Sequence, residues 1–169
     1  MIQNKAFRIP FKGLKPGIHK FDFEVSASFF QEIEGSEILD AEISAGVTLD
    51  KKSNFMELQF FLEGVATVVC DRCLDPVSLP VEYEGKIIVK FGEETTELDE
   101  SLLVLSQAED VLDVSQYLFE FAHLSLPMKR IHPQNAQGVS GCNPLMLEKL
   151  KEYLVEEDLS EEDDVNDDM

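Results

Sequence analysis

LDAEISAGVTLDKKSNFMELQFFLEGVATVVC, residues 39–70, is the stretch that decides the fold. Leu39, Ala41, Ile43, Ala45, Val47 and Leu49 recur at every second position, and Met56, Leu58, Phe60 and Leu62 do so again. Asp50-Lys51-Lys52-Ser53-Asn54 between them is a turn signal. A period of two puts alternate side chains on one face of a pleated strand, so this stretch predicts two long, half-buried antiparallel strands. After Gly64 the apolar set becomes Val65, Thr67 and Val69, and this change of phase predicts a bulge or bend at the glycine.

The same alternation extends outward. Upstream, Phe7, Ile9 and Phe11 precede a turn at residues 13–17, and His19, Phe21, Phe23 and Val25 form a further strand pattern. Residues 26–33 can form a short helix with Phe29, Phe30 and Ile33 on one side. Downstream, Val77, Leu79, Val81 and Tyr83 alternate, and Ile87, Val89 and Phe91 follow a break at Gly85. Residues 92–101 are acidic and polar and read as a loop. These connections are too short for crossover helices, which favours an antiparallel meander. The period then changes to that of a helix. Val114, Tyr117, Leu118, Phe121 and Leu124 predict a helix over residues 113–125, with Asp113 and Gln116 at capping-box spacing and Pro127 beyond its end. Asn143-Pro144 predicts the start of a second, amphipathic helix carrying Met146, Leu147, Leu150, Tyr153 and Leu154. The expected class is α+β: a mainly antiparallel meander or barrel-like sheet, one or two C-terminal helices and a disordered acidic tail. Residues 1–155 read as one domain, β-rich over 1–108 and helical with a Cys/His segment over 109–155, followed by the tail at 156–169.

The 169 residues hold 14 basic and 34 acidic side chains, a net charge of −20. Nine acids and no base lie within residues 156–168. Such a surface repels bare phosphate and favours basic proteins as partners, ribosomal proteins among them; the plainer alternative is a tail that keeps the chain soluble. No apolar run long enough to span a membrane occurs, and Lys12, Lys15 and Lys20 interrupt the stretch where a secretory core would lie. The expected compartment is the cytoplasm, where paired cysteines more often bind metal than form disulfides.

The chemistry concentrates at Cys70-Asp71-Arg72-Cys73. Two cysteines three positions apart point two thiolates of one turn at a common centre, as a zinc knuckle requires. Arg72 and the N–H groups of the turn help hold thiolate charge. Zinc takes four ligands, and Cys142 and His132 are the candidates for the other two, with His123 a weaker substitute. The competing reading is three reduced packing thiols. A thioredoxin-like redox pair fits less well, because Pro76 and Val77 lead into a strand rather than a helix. Arg72, Lys129 and Arg130 are the only basic cluster near the site and the candidates for contact with RNA. No Gly-rich phosphate loop, His-Glu-x-x-His helix or Gly-x-Ser-x-Gly elbow occurs. Ser140-Gly141-Cys142 with His132 lacks a third group to orient a nucleophile, and Glu93-Glu94 and Glu161-Glu162 read as solvated charge.

The segment Cys70-Asp71-Arg72-Cys73-Leu74-Asp75-Pro76 resembles the C-x-R-C-L-x-P knuckle of the YceD-like bacterial proteins, the large ribosomal RNA subunit accumulation proteins. A second signature of that family, an Asp-started helix with an acidic residue and a Leu-x-Leu-Pro ending, is similar to Leu112-Asp113, Glu120 and Leu124-Ser125-Leu126-Pro127, with His132 following. The resemblance covers about residues 5–145. In this chain His132 stands where many relatives place a cysteine. The resemblance implies a cytoplasmic, non-enzymatic factor needed for synthesis, processing or stability of large-subunit (23S) ribosomal RNA, with ribosomal proteins or assembly factors as partners. A direct RNA-binding zinc knuckle is the alternative, and a thiol redox protein a weaker one.

Overall fold

A computed structural model describes residues 3–137 and 141–160. After a 3-10 turn at Lys5–Phe7, the elements are β1 (Arg8–Ile9), β2 (Gly17–Ser26), α1 (Ala27–Gln31), β3 (Asp40–Lys51), β4 (Phe55–Val69) and β5 (Pro76–Gly92). They continue with β6 (Thr96–Asp99), β7 (Leu102–Ser106), β8 (Leu112–Asp113), α2 (Ser115–Leu124) and α3 (Pro144–Ser160). The chain divides into two compact units, Met1–Val68 with Ser78–Met128, and Val69–Val77 with Lys129–Met169. This division does not follow the expected boundary near residue 108. Helix α2 falls in the same unit as most of the strands, where its Tyr117, Leu118, Phe121 and Ala122 are buried.

The first unit is built on a six-stranded sheet in the order β2-β3-β4-β5-β7-β6, with β1 and β8 paired separately. Ala41, Ile43, Ala45, Val47 and Leu49 of β3 and Met56, Leu58, Phe60 and Leu62 of β4 are buried, as the period of two requires, whereas Leu39, read as the first of the set, precedes β3 and is exposed. Of the bulge or bend expected at Gly64, no bulge forms. Antiparallel pairing of β3 with β4 runs without a slip from Lys51↔Met56 through Ile43↔Gly64 to Asp40↔Thr67. The buried residues after Gly64 are Ala66 and Val68, whereas Val65 and Val69 lie on the exposed face. β-branched residues fit either face of a pleated strand, so their spacing alone misplaced the phase. The glycine has another cause: at φ 155° its backbone approaches β3 so closely that a Cβ would lie 2.0 Å from the Glu42 carbonyl oxygen.

The sheet is open rather than barrel-like, with β2 and β6 as its edges, and it is not wholly a meander. β5 pairs with β7 in parallel, Ile88↔Leu102 to Gly92↔Ser106, and β6 returns the chain along the outside of β7. The segment expected as a loop therefore contains a strand. All four residues of β6 are exposed, so no apolar alternation marks it in the sequence.

Aromatic side chains cover the buried face. Phe60 meets Phe121 of α2 edge-on, ring centroids 5.2 Å apart, and Tyr83 stacks on Phe121 at 5.0 Å. Phe7 packs edge-on against Phe29 of α1, also at 5.0 Å. The expected capping box of Asp113 and Gln116 does not form: the N-cap is Val114, without a side-chain bond, and the Asp113 carboxylate in β8 accepts the N–H groups of Ser115 (2.9 Å) and Asn4 (3.0 Å) instead. Gln116 donates forward to Glu120. The helix is shorter than the expected 113–125, and Leu124 is exposed while Ala122 and Leu126 are buried in its stead.

In the second unit Asn143 caps α3: its Oδ1 accepts the N–H of Leu145 (3.1 Å), with Pro144 as the first helical residue. The helix continues to Ser160, so residues 156–160, expected to begin the tail, are helical. Glutamate is a good helix former, and a run of acids does not by itself stop a helix. The rest of the expected acidic tail, residues 161–169, lies outside the described residues. The amphipathic expectation holds in part: Met146 and Leu147 are half-buried, while Leu150 and Tyr153 are exposed.

The β3–β4 register predicts an asymmetry between two glycines. Gly64→Ala forces apart two paired backbones and lowers stability in urea unfolding by about 1–3 kcal/mol. Gly13→Ala, with nothing within 4 Å of the new Cβ, stays within about 0.5 kcal/mol of the parent. Equal tolerance at both positions would contradict the register.

Candidate metal centre

The second unit contains all four of the Cys and His residues singled out in the sequence as ligands. The chain leaves β4 at Val69 and turns over Cys70 to Asp75 before β5. Two backbone hydrogen bonds close the turn: the Leu74 N–H to the Cys70 carbonyl (3.0 Å) and the Cys70 N–H to the Asp75 carbonyl (2.8 Å). Leu74 adopts the left-handed conformation, φ 65°, at a cost of roughly 1–2 kcal/mol for a non-glycine residue. A second pair of bonds ties the knuckle to the later segment. The Asp71 N–H donates to the Arg130 carbonyl (2.7 Å), and the Arg130 N–H donates to the Asp71 carboxylate (2.9 Å). His132 follows two residues on.

These constraints gather four donor atoms. The sulfurs and ring nitrogen of Cys70, Cys73, His132 and Cys142 lie within 4.8 Å of one another; the three cysteines are buried and His132 half-buried. Cys70 Sγ is 3.7 Å from Cys142 Sγ, and Cys73 Sγ is 3.3 Å from His132 Nδ1. A tetrahedral zinc with its usual bond lengths sets sulfurs roughly 3.8 Å apart, and a sulfur and a nitrogen roughly 3.5 Å apart. The cluster therefore has the dimensions of a metal site and is compatible with zinc.

The histidine is oriented for this role. Its Nε2 lies 3.0 Å from the Pro76 carbonyl, so Nε2–H donates there and Nδ1 keeps its lone pair toward the sulfurs. A backbone carbonyl on the far ring nitrogen is a common means of fixing a ligating imidazole. Gly141 assists: a Cβ there would come within 3.2 Å of the His132 Cβ.

Electrostatics favour thiolate. Burial pushes the Cys70 thiol up, but the N–H groups of Cys73, Arg72 and His132 and the Cys73 side chain outweigh it and bring it down to about 6. For His132, burial acts downward, and bonds to Cys70 and the Pro76 carbonyl with the nearby sulfurs raise it overall. Backbone dipoles thus favour the charged form of Cys70, and the neighbouring sulfurs favour the charged form of His132. A divalent cation at these donors would compete with the proton.

The other sequence candidates fall in different places. His123 lies on α2 in the first unit, its Nδ1 donating to the Phe119 carbonyl (2.9 Å). Arg72 is half-buried and serves Cys70 through its backbone N–H; Lys129 is exposed, and Arg130 acts on the knuckle through its main chain. Sequence reasoning missed the Asp71–Arg130 strap and the Pro76 carbonyl. Asp71, between the two cysteines, was the available signal for the strap, whereas a carbonyl leaves none.

A family model described as large ribosomal RNA subunit accumulation protein YceD matches residues 58–168, more than half of the chain and inclusive of all four donors. No curated protein and no solved structure matches it.

The geometry predicts that one equivalent of Co(II) added to the reduced, metal-free protein develops the visible absorption of a tetrahedral thiolate site. Zinc then bleaches it. Cys70→Ser and His132→Ala each weaken binding at least about tenfold. Unchanged spectra in both variants would remove the two residues from the ligand set.

Proposed function

The chain belongs to the YceD family of large ribosomal RNA subunit accumulation proteins, and from that premise we propose a non-enzymatic, cytoplasmic ribosome-biogenesis factor needed for synthesis, processing or stability of 23S ribosomal RNA. It acts by binding basic ribosomal proteins or assembly factors. The family match carries the first part of this reading. The charge supports the second, because a protein with 34 acids and 14 bases attracts basic polypeptides and repels phosphate. Among the described residues no helix is long and apolar enough to cross a membrane.

The metal in this reading is a structural zinc. Four protein donors close its coordination shell and leave no position for substrate. Its contribution is to the folding of the second unit, since it joins segments about 70 residues apart in the chain. Contact with RNA is indirect: Arg72, Lys129 and Arg130 are few against the net charge, and Arg72 and Arg130 already serve the knuckle through their main chains.

Depletion of the protein is expected to lower mature 23S RNA relative to 16S RNA, with precursors or fragments of the large-subunit RNA accumulating. The wild-type gene restores the ratio and Cys70→Ser does so incompletely. Normal 23S levels and precursor profiles after depletion would overturn the reading. In filter binding, retention of 23S fragments that declines steeply with salt would transfer the role to direct RNA contact.

A further inference from the structure

The first unit carries a groove that neither the knuckle nor its metal explains. It opens beside α2 and has a volume of about 730 Å³. Tyr83 and Phe121 form part of its lining, stacked with ring planes 26° apart, and Phe119 and Leu124 continue the apolar surface. Gly85 lets the rings lie this close to the sheet, since a Cβ there would meet Phe121 Cζ at 2.9 Å. Leu124 is 64% exposed, an apolar side chain facing solvent at the end of a helix whose Tyr117, Leu118 and Phe121 are buried.

Acidic side chains surround this surface. Glu37, Glu100 and Glu120 line the groove from three separate parts of the chain. Of the cationic or protonatable groups that join them, Lys86 lies 3.0 Å from Glu57, which offsets its charge, and His123 donates to the Phe119 carbonyl. Half-buried aromatic rings and carboxylates lining one groove suit guanidinium: the planar cation can lie on a ring while its N–H groups reach the carboxylates. The volume suits one or two side chains of a peptide, and the same carboxylates repel RNA phosphate.

We propose that this groove docks an arginine-rich segment of a basic protein, with one arginine over Tyr83 and Phe119 and the flanking charges on Glu37, Glu100 and Glu120. The inference rests on the reading of the chain as a partner-binding factor, and names where the partner is held. Leu124 contacts the aliphatic stem or an adjacent apolar side chain of the segment.

The test uses the full chain and a fluorescent nine-residue peptide of alternating arginine and leucine, read by polarisation at low and high salt. Glu100→Lys with Glu120→Lys is expected to weaken binding at least about tenfold, and Leu124→Asp by a smaller factor. Glu63→Lys with Glu82→Lys makes the same change in net charge at exposed positions outside the groove and is expected to weaken it less than about threefold. Circular dichroism establishes that each variant is folded. Equal loss in the two double variants would mean diffuse attraction and overturn the proposal, as would absence of wild-type binding. Tighter binding of an RNA oligonucleotide than of the peptide would also overturn it. A concentration-dependent dimer in light scattering that Leu124→Asp abolishes would assign the groove to a second copy of the chain. The peptide measurement is independent of 23S levels in depleted cells, so failure of one is distinguishable from failure of the other.

Discussion

The unbroken register between β3 and β4 fixes which face of the sheet each of their residues takes. Ile43 faces Gly64 and Ala41 faces Ala66, so the even-numbered residues of β4 remain on the buried face as far as Val68. A one-residue slip reverses the direction of every later side chain in the strand and would put Val65 and Thr67 inside. The close approach of Gly64 to the Glu42 carbonyl is what this continuity demands of the backbone. A residue that looks like an interruption in the sequence is thus the one that permits regularity.

Charge poses a second constraint. The chain is strongly acidic, yet it keeps Cys70 near thiolate in a buried turn. It does so with short-range dipoles rather than with lysines: three backbone N–H groups face the sulfur, and they exert their effect whatever the net charge of the surface. The acidic exterior remains available for partners. Three thiolates and a neutral imidazole around a divalent cation leave one residual negative charge, which the N–H groups can accommodate.

Much of this was legible in the sequence, and the gaps have identifiable causes. Alternation located β2 to β5, and Asn143-Pro144 marked the start of α3 to the residue. Cys70, Cys73, His132 and Cys142 could be paired on donor chemistry alone, because few other soft donors exist in the chain. β6 was not legible: it buries no face, and backbone pairing leaves no residue pattern. The parallel pairing of β5 with β7 was hidden for the same reason, since β6 is what returns the chain. The groove could not be read either, because Glu37, Tyr83, Glu100 and Phe121 meet only after the sheet and α2 have packed. Val65 and Val69 misled because β-branched residues occupy exposed sheet positions as comfortably as buried ones.

The separation of the donors along the chain has a consequence for the order of events in synthesis. Cys70 and Cys142 are 72 positions apart. At about 5–20 residues per second, the knuckle waits roughly 4–14 s for its remaining ligands to be made. During that interval two thiols form an incomplete, exchange-prone chelate that any soft cation or oxidant can reach. The fourth donor arrives with the segment that leads into α3. A metal held by all four donors would be captured only once Cys142 has been made, and a chain truncated before Cys142 would offer an incomplete donor set.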